Sequence, residues 1–233
     1  MTTLTLFDID ATLLLTGGAG MNAMERAGRR LFGEHFSTAG IDFAGRIDPL
    51  LIREMLQRHA VEPTADRMVE FRRTYTAMLE SDMASSTRHH ALPGAIALVR
   101  RLQETRSTAL GVLSGNFAET GSIKLRRCGF HPEWFAVRVW GDDSPHDPPS
   151  RDHLPGVAIE RFAAVYGARL EPARVTIIGD TPHDVRCARV HGCRSLGVAT
   201  GRYTADELER AGADRVVADL GETDDLAAWL IRS

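Results

Sequence analysis

The chain opens on a short run, Thr3-Leu-Thr-Leu-Phe-Asp-Ile-Asp10, whose alternation and strand-forming residues predict a β-strand. A glycine-rich break, Thr16-Gly17-Gly18-Ala19-Gly20, follows. From about Met21 to Met83 the apolar positions recur at helical spacing instead. Met21, Met24, Ala27, Leu31 and Phe32 form one such series, Leu51, Met55 and Leu56 a second, and Met68, Phe71, Tyr75, Met78 and Leu79 a third. Gly33, Gly40, Gly45, Pro49 and Pro63 punctuate these helices, and no strand-like run interrupts them. After Pro93-Gly94 the pattern changes again. Helices predicted at 95–103, 118–128, 154–166, 182–191, 205–211 and from 224 alternate with short apolar strands at 109–114, 135–140, 175–179, 195–198 and 215–218. Such alternation predicts an α/β fold: a Rossmann-like parallel sheet with helices on both faces. The helical block between the first strand and the rest is expected to be an inserted all-helical cap. The expected division is a core of residues 1–16 and 91–233 and a cap of residues 17–90.

Composition narrows the function classes. The 233 residues carry 28 Lys+Arg against 31 Asp+Glu, a net charge of −3, so nothing electrostatic points to a nucleic-acid partner. No run approaches the ~20 apolar residues of a membrane span. Met1-Thr2-Thr3-Leu4 lacks the charged and apolar regions of a secretory signal. Cys128, Cys187 and Cys193 make neither a CxxC metal pair nor an even disulfide set. A cytoplasmic enzyme or binding protein is the expectation; the sequence carries no sign of its oligomeric state. Lys124 is the only lysine in a chain that otherwise writes arginine: either a surface lysine kept by chance or a place where a compact ammonium is needed.

Three motifs carry candidate chemistry. Asp8 and Asp10 close the first strand, and residues two apart on a strand share a face, so two carboxylates are expected in one spot. Such a pair calls for a cation or a shared proton. Leu113-Ser114-Gly115-Asn116 joins a strand end to a helix start, where a hydroxyl and free N–H groups favour an anion. Gly179-Asp180-Thr181-Pro182-His183-Asp184 follows another apolar strand and opens a helix at Pro182. In a parallel sheet all three lie on the carboxyl edge, the edge where open α/β sheets bind ligands. Three or four carboxylates there suit a hard cation such as Mg²⁺.

Together, and in this order, these motifs resemble those of the haloacid dehalogenase-like (HAD) hydrolase superfamily, in its phosphoglycolate phosphatase-like branch with a helical cap. The resemblance spans nearly the whole chain and implies a Mg²⁺ cofactor and hydrolysis of a small phosphorylated metabolite. Carried over by residue, Asp8 is the nucleophile and a metal ligand. Asp10 is the general acid/base and gives the metal its backbone carbonyl. Ser114, with Gly115 and Asn116, binds phosphate. Asp180 is a metal ligand, and Asp184 a ligand or an acid just behind the ligands. The family also needs a cation to balance nucleophile and phosphate, for which Lys124 and Arg151 both stand as candidates. The family's glycine after the second Asp is Ala11 here, a departure that bears on turnover if the backbone there is in a glycine-favouring conformation.

An acid at position 10 fits an alkoxide leaving group, which needs a proton, better than a halide, which does not. A phosphomutase on the same scaffold and a phosphate-binding protein without turnover are the alternatives. A phosphonate hydrolase would need a lysine in the cap, which has none. The stretches Gly17–Gly20 and Ser86–Leu92 are the expected hinges. Arg46 and Asp48 are candidates for contacts to a polar or acidic leaving group, His183 is expected to face solvent, and His89-His90 lacks companions for a metal site.

Overall fold

The computed structural model describes residues 2–105 and 107–232. At its centre is β1 (Thr3–Phe7), flanked by β4 (Thr108–Leu113) and β6 (Val175–Gly179) in a six-stranded sheet of order β5-β4-β1-β6-β7-β8. The outer strands are β5 (Val137–Val139), β7 (Arg194–Val198) and β8 (Arg215–Val217), and every pairing is parallel. Leu6 stands opposite Gly111 on one side and Ile177 on the other. The strand order reverses at β1, making this edge the topological switch point of the sheet.

Alternation along the strands builds a core on each face. Leu4, Leu6, Leu113, Val175 and Ile177 pack with residues of α6 (Leu154–Tyr166) and α7 (Pro182–Val190). Phe7, Leu110, Val112 and Ile178 belong to the opposite cluster, with α4 (Ala95–Gln103), α5 (Ala118–Arg127) and α9 (Thr223–Ile231). The sixth helix of this half, α8 (Ala205–Arg210), follows β7. Central strands buried on both faces explain why they read as nearly continuous apolar runs.

Between β1 and α4 the chain makes three helices, α1 (Ala19–Phe32), α2 (Asp48–Arg58) and α3 (Ala65–Ser85). Their apolar stripes meet in a cluster containing Met24, Phe36, Met55 and Phe71, with the rings of Phe36 and Phe71 centred 6.0 Å apart. The two ends of this insert run side by side: β2 (Leu14–Leu15) pairs antiparallel with β3 (His90–Ala91).

The β2–β3 pair is absent from the sequence reading, and two strands are shorter than it predicts. β1 stops at Phe7, because the next residues fold into a tight turn in which the Leu13 and Leu14 amides donate to the Ile9 carbonyl at 3.0 and 3.1 Å. β5 covers only Val137–Val139, because Pro132–Trp134 forms a 3₁₀ turn before it.

Candidate active site

Asp8, Ser114 and Asp180 each follow the last residues of one of the three adjacent central strands, β1, β4 and β6. The fold thus gathers motifs that are far apart in sequence. Asp8, Asp180 and Asp184 are all buried, and each offers a carboxylate oxygen within 4.8 Å of the others. Among the described residues this is the group of acids and histidines close enough to share a metal ion.

Asp184 is fixed from two sides. Its Oδ2 accepts from the Thr181 hydroxyl at 2.6 Å and the Thr181 amide at 3.1 Å, the reciprocal cap that starts α7. Its Oδ1 accepts from Arg151 at 2.5 Å. The same guanidinium nitrogen lies 3.1 Å from Asp8 Oδ1. Burial works against the Arg151 charge, but Asp184 and Asp8 hold its pKa well above the ordinary range. One buried cation therefore faces three buried carboxyls. Burial pushes Asp8 up to about 6; Arg151 pulls the other way, and Asp184 and Asp10 add to the rise. Burial likewise pushes Asp180 up to about 8, with Asp184 and Asp8 adding and Arg151 opposing. Such a cluster is short of positive charge, and its all-oxygen donor set fits a hard divalent cation.

The Asp10 carboxylate lines the same chamber as that of Asp8 but has partners of its own. Asp10 Oδ2 accepts from Lys124 Nζ at 2.6 Å and from Asn116 Nδ2 at 2.8 Å. Lys124 also donates to Asn116 Oδ1 at 2.6 Å, and Asn116 Nδ2 to Ser114 Oγ at 2.8 Å. Ser114 and Lys124 are buried, while the Asp10 side chain keeps 42% of its surface open. The chain's only lysine is thus the counter-charge of Asp10, and Arg151 that of Asp8.

Ala11 has φ of +57°, the left-handed region where the resembling family carries glycine. The turn is nonetheless complete: the Ala11 amide donates to the Leu14 carbonyl at 2.8 Å, and the Thr200 hydroxyl donates to the Ala11 carbonyl at 2.5 Å. Left-handed backbone costs an alanine about 1–2 kcal/mol, an amount this framework absorbs.

The helical insert closes over this edge and leaves a chamber of about 460 Å³. Asp48, the first residue of α2, reaches the core: its Oδ2 accepts from the Phe117 amide at 3.1 Å and the Thr120 hydroxyl at 3.4 Å, at the start of α5. Burial pushes its carboxyl up to about 7, against the pull of Lys124. Its own amide donates to the Gly115 carbonyl at 2.7 Å. Gly115 must be glycine for that approach, since a Cβ there would stand 2.0 Å from the Arg46 carbonyl. Asp48 and Arg46 both line the chamber, each already with a partner: Arg46 donates to Glu54 at 2.6 Å. His183 is half-buried beside Gly45 of the insert, not directed into solvent, because the insert loop covers the start of α7. Burial holds its pKa below the ordinary value, helped by Arg186.

Sequence reasoning missed Gly201, where a Cβ would stand 1.8 Å from Asp180 Oδ2, and the Thr200 contact to Ala11. Both sit in the loop after β7, which carries no acidic motif of its own. The switch-point topology was the signal available, since it brings the end of β7 beside the end of β6.

Residues 155–223 match the family model of HAD-hydrolase-like proteins. "Probable phosphatase IndB" of Dickeya dadantii is 25% identical over 232 residues, covering 100% of this chain and 96% of that protein. The phosphoglycolate phosphatase of Pectobacterium atrosepticum is 21% identical over 225 residues, covering 91% and 86%. Among solved structures, CbbY from Rhodobacter sphaeroides in complex with phosphate has the same fold, with a TM-score of 0.73, 22% identity and coverage of 95% and 96%. Over residues 155–223 the chain is thus similar to the HAD-like hydrolases, and its whole length shares the fold of a solved member. The relatives that match it along most of their length are named as phosphatases.

Proposed function

We propose that this protein is a Mg²⁺-dependent phosphatase that hydrolyses a small phosphorylated metabolite through an aspartyl-phosphate on Asp8. In this reading residues 1–16 and 91–233 are the hydrolase core, and residues 17–90 are a cap that covers the substrate. One observation carries it. Two aspartates two residues apart have different surroundings: Asp8 among buried acids and Arg151, Asp10 open to the chamber and paired with Lys124. A phosphoryl-transfer site that needs one nucleophile and one proton carrier requires such a separation.

Asp8, Asp180 and the Asp10 backbone carbonyl would hold Mg²⁺, with Asp184 as a further ligand or as the anchor of Arg151. When bound, the ion offsets the repulsion between Asp8 and a phosphate dianion and polarises the phosphoryl group. Ser114, Gly115 and Asn116 hold the phosphate oxygens, with Lys124 and Arg151 supplying charge as it builds up in the transition state. A carboxylate oxygen of Asp8 bonds to phosphorus as the bond to the leaving oxygen breaks, and Asp10 gives that oxygen its proton. Asp10 then takes a proton from a water molecule that attacks the acyl phosphate, releasing inorganic phosphate and restoring Asp8.

A phosphate-binding protein without turnover is the second reading, favoured by the conformation of Ala11. Steady-state hydrolysis of 4-nitrophenyl phosphate with Mg²⁺ decides between them. Turnover that falls by about 10³-fold or more in Asp8→Asn supports the enzyme. An equal background in both proteins overturns it.

A further inference from the structure

Resting on the phosphatase reading, we infer that the alcohol released by this enzyme is uncharged and partly apolar, so that neither a phosphorylated carboxylic acid nor a bisphosphate is its substrate. The chamber has two unlike ends. Towards the sheet it is polar and charged; towards the insert it is walled by Met21, Met24, Ile41, Phe43 and Leu51. Met24 and Leu51 are almost fully buried, and Met21 is 44% exposed, a flexible side chain at the border.

Four described cations line the chamber, and each already has a carboxylate partner. Lys124 is held by Asp10 and Arg151 by Asp8 and Asp184, all at the phosphate end. On the insert side Arg46 pairs with Glu54 at 2.6 Å, and Arg202, which comes from the loop after β7, reaches across to the insert's Asp42 at 2.8 Å. Asp42 and Asp48 are the acids on that side. A second anionic group on the substrate would leave water for a wall of thioether and hydrocarbon, next to two acids and with no spare cation. A desolvated anion without a partner is expensive, whereas an apolar group gains from the same surface.

A matched pair of esters tests this: 3-carboxyphenyl phosphate and the same compound with its carboxylate as a methyl ester. The two differ by one charge, at similar size and leaving-group chemistry. With the full-length protein and Mg²⁺, the methyl ester is expected to have about tenfold or more the kcat/KM of the acid. Equal values, or preference for the acid, overturn the inference and leave the phosphatase reading standing. Turnover of neither compound, or turnover unaffected by Asp8→Asn, overturns both. Glu54→Gln frees Arg46 and is expected to shift the preference towards the acid. Should that variant fail to fold, Asp42→Asn, which frees Arg202 from an exposed position, carries the same expectation. A preference that stays unchanged in a folded variant contradicts the role given to these pairs.

Discussion

On the sheet side of the chamber, the candidate groups leave the carboxyl end of a strand or the helix after it, apart from Arg151 in the 3₁₀ turn before α6, and their neighbours are set largely by strand order. On the insert side, the groups come from loops and helix faces, and their neighbours depend on how the helices pack. Asp8, Ser114 and Asp180 converge because β1, β4 and β6 are adjacent. Met24, Phe43 and Leu51 converge because α1, α2 and the loop before α2 close over that edge. The first arrangement supplies chemistry that many substrates can use. The second can change without disturbing the reacting atoms, which suits it to choosing among substrates.

The sharpest way to break this division is on the sheet side. Asp10→Asn is expected to lower kcat by about 10²–10⁴-fold on an alkyl phosphate and much less on an aryl phosphate, whose leaving group departs without a proton. Parallel steady-state kinetics on the two esters measures this. An equal loss on both would take from Asp10 its part as acid.

Next in size is the seam between the two sides. Asp48→Ala removes acceptors from the Phe117 amide and Thr120, leaving them buried at the start of α5. A loss of about 1–3 kcal/mol in unfolding free energy is expected by urea denaturation, together with a raised KM. Unchanged stability would mean that the insert is not held to the core by this contact.

Smallest is a pH effect on metal-free protein. Burial raises Asp8 to about 6 and Asp180 to about 8 from the ordinary carboxyl value of 3.8. A raised carboxyl pKa contributes stability that is present below 3.8 and is lost as pH rises through the folded values. A divalent ion replaces the missing positive charge and binds the deprotonated groups. The gain in Tm on adding Mg²⁺ is therefore expected to be larger at pH 8 than at pH 6, read by scanning calorimetry. A gain independent of pH would contradict a site built on these two acids.

Much of the sheet side was legible in the sequence because it is written locally. A short apolar run, an acid or a serine, then a helix start fixes which edge a side chain reaches. Helices α4 and α6 match their expected spans in full for the same reason. The extent of β1 was not legible, since Ala11 hides a left-handed turn that a glycine would have announced. Just before that turn, Asp10 pairs with Lys124. The isolated lysine could be noticed from composition, but its partner lies 114 positions away. The pairing of Arg46 with Glu54 depends on how the loop before α2 folds back on that helix, and the burial of His183 on packing between the insert and the core; helical periodicity encodes neither.

In the proposed reaction Asp8 is the group that takes the phosphoryl. Rapid quenching of the enzyme during turnover of 4-nitrophenyl phosphate with Mg²⁺, followed by borohydride reduction and peptide mass spectrometry, reads this directly. Conversion of Asp8 to homoserine, present with substrate and absent without it, is the expected result. Turnover at full rate with Asp8 unmodified, or with the reduced acyl phosphate found at Asp180 or Asp184, would contradict it.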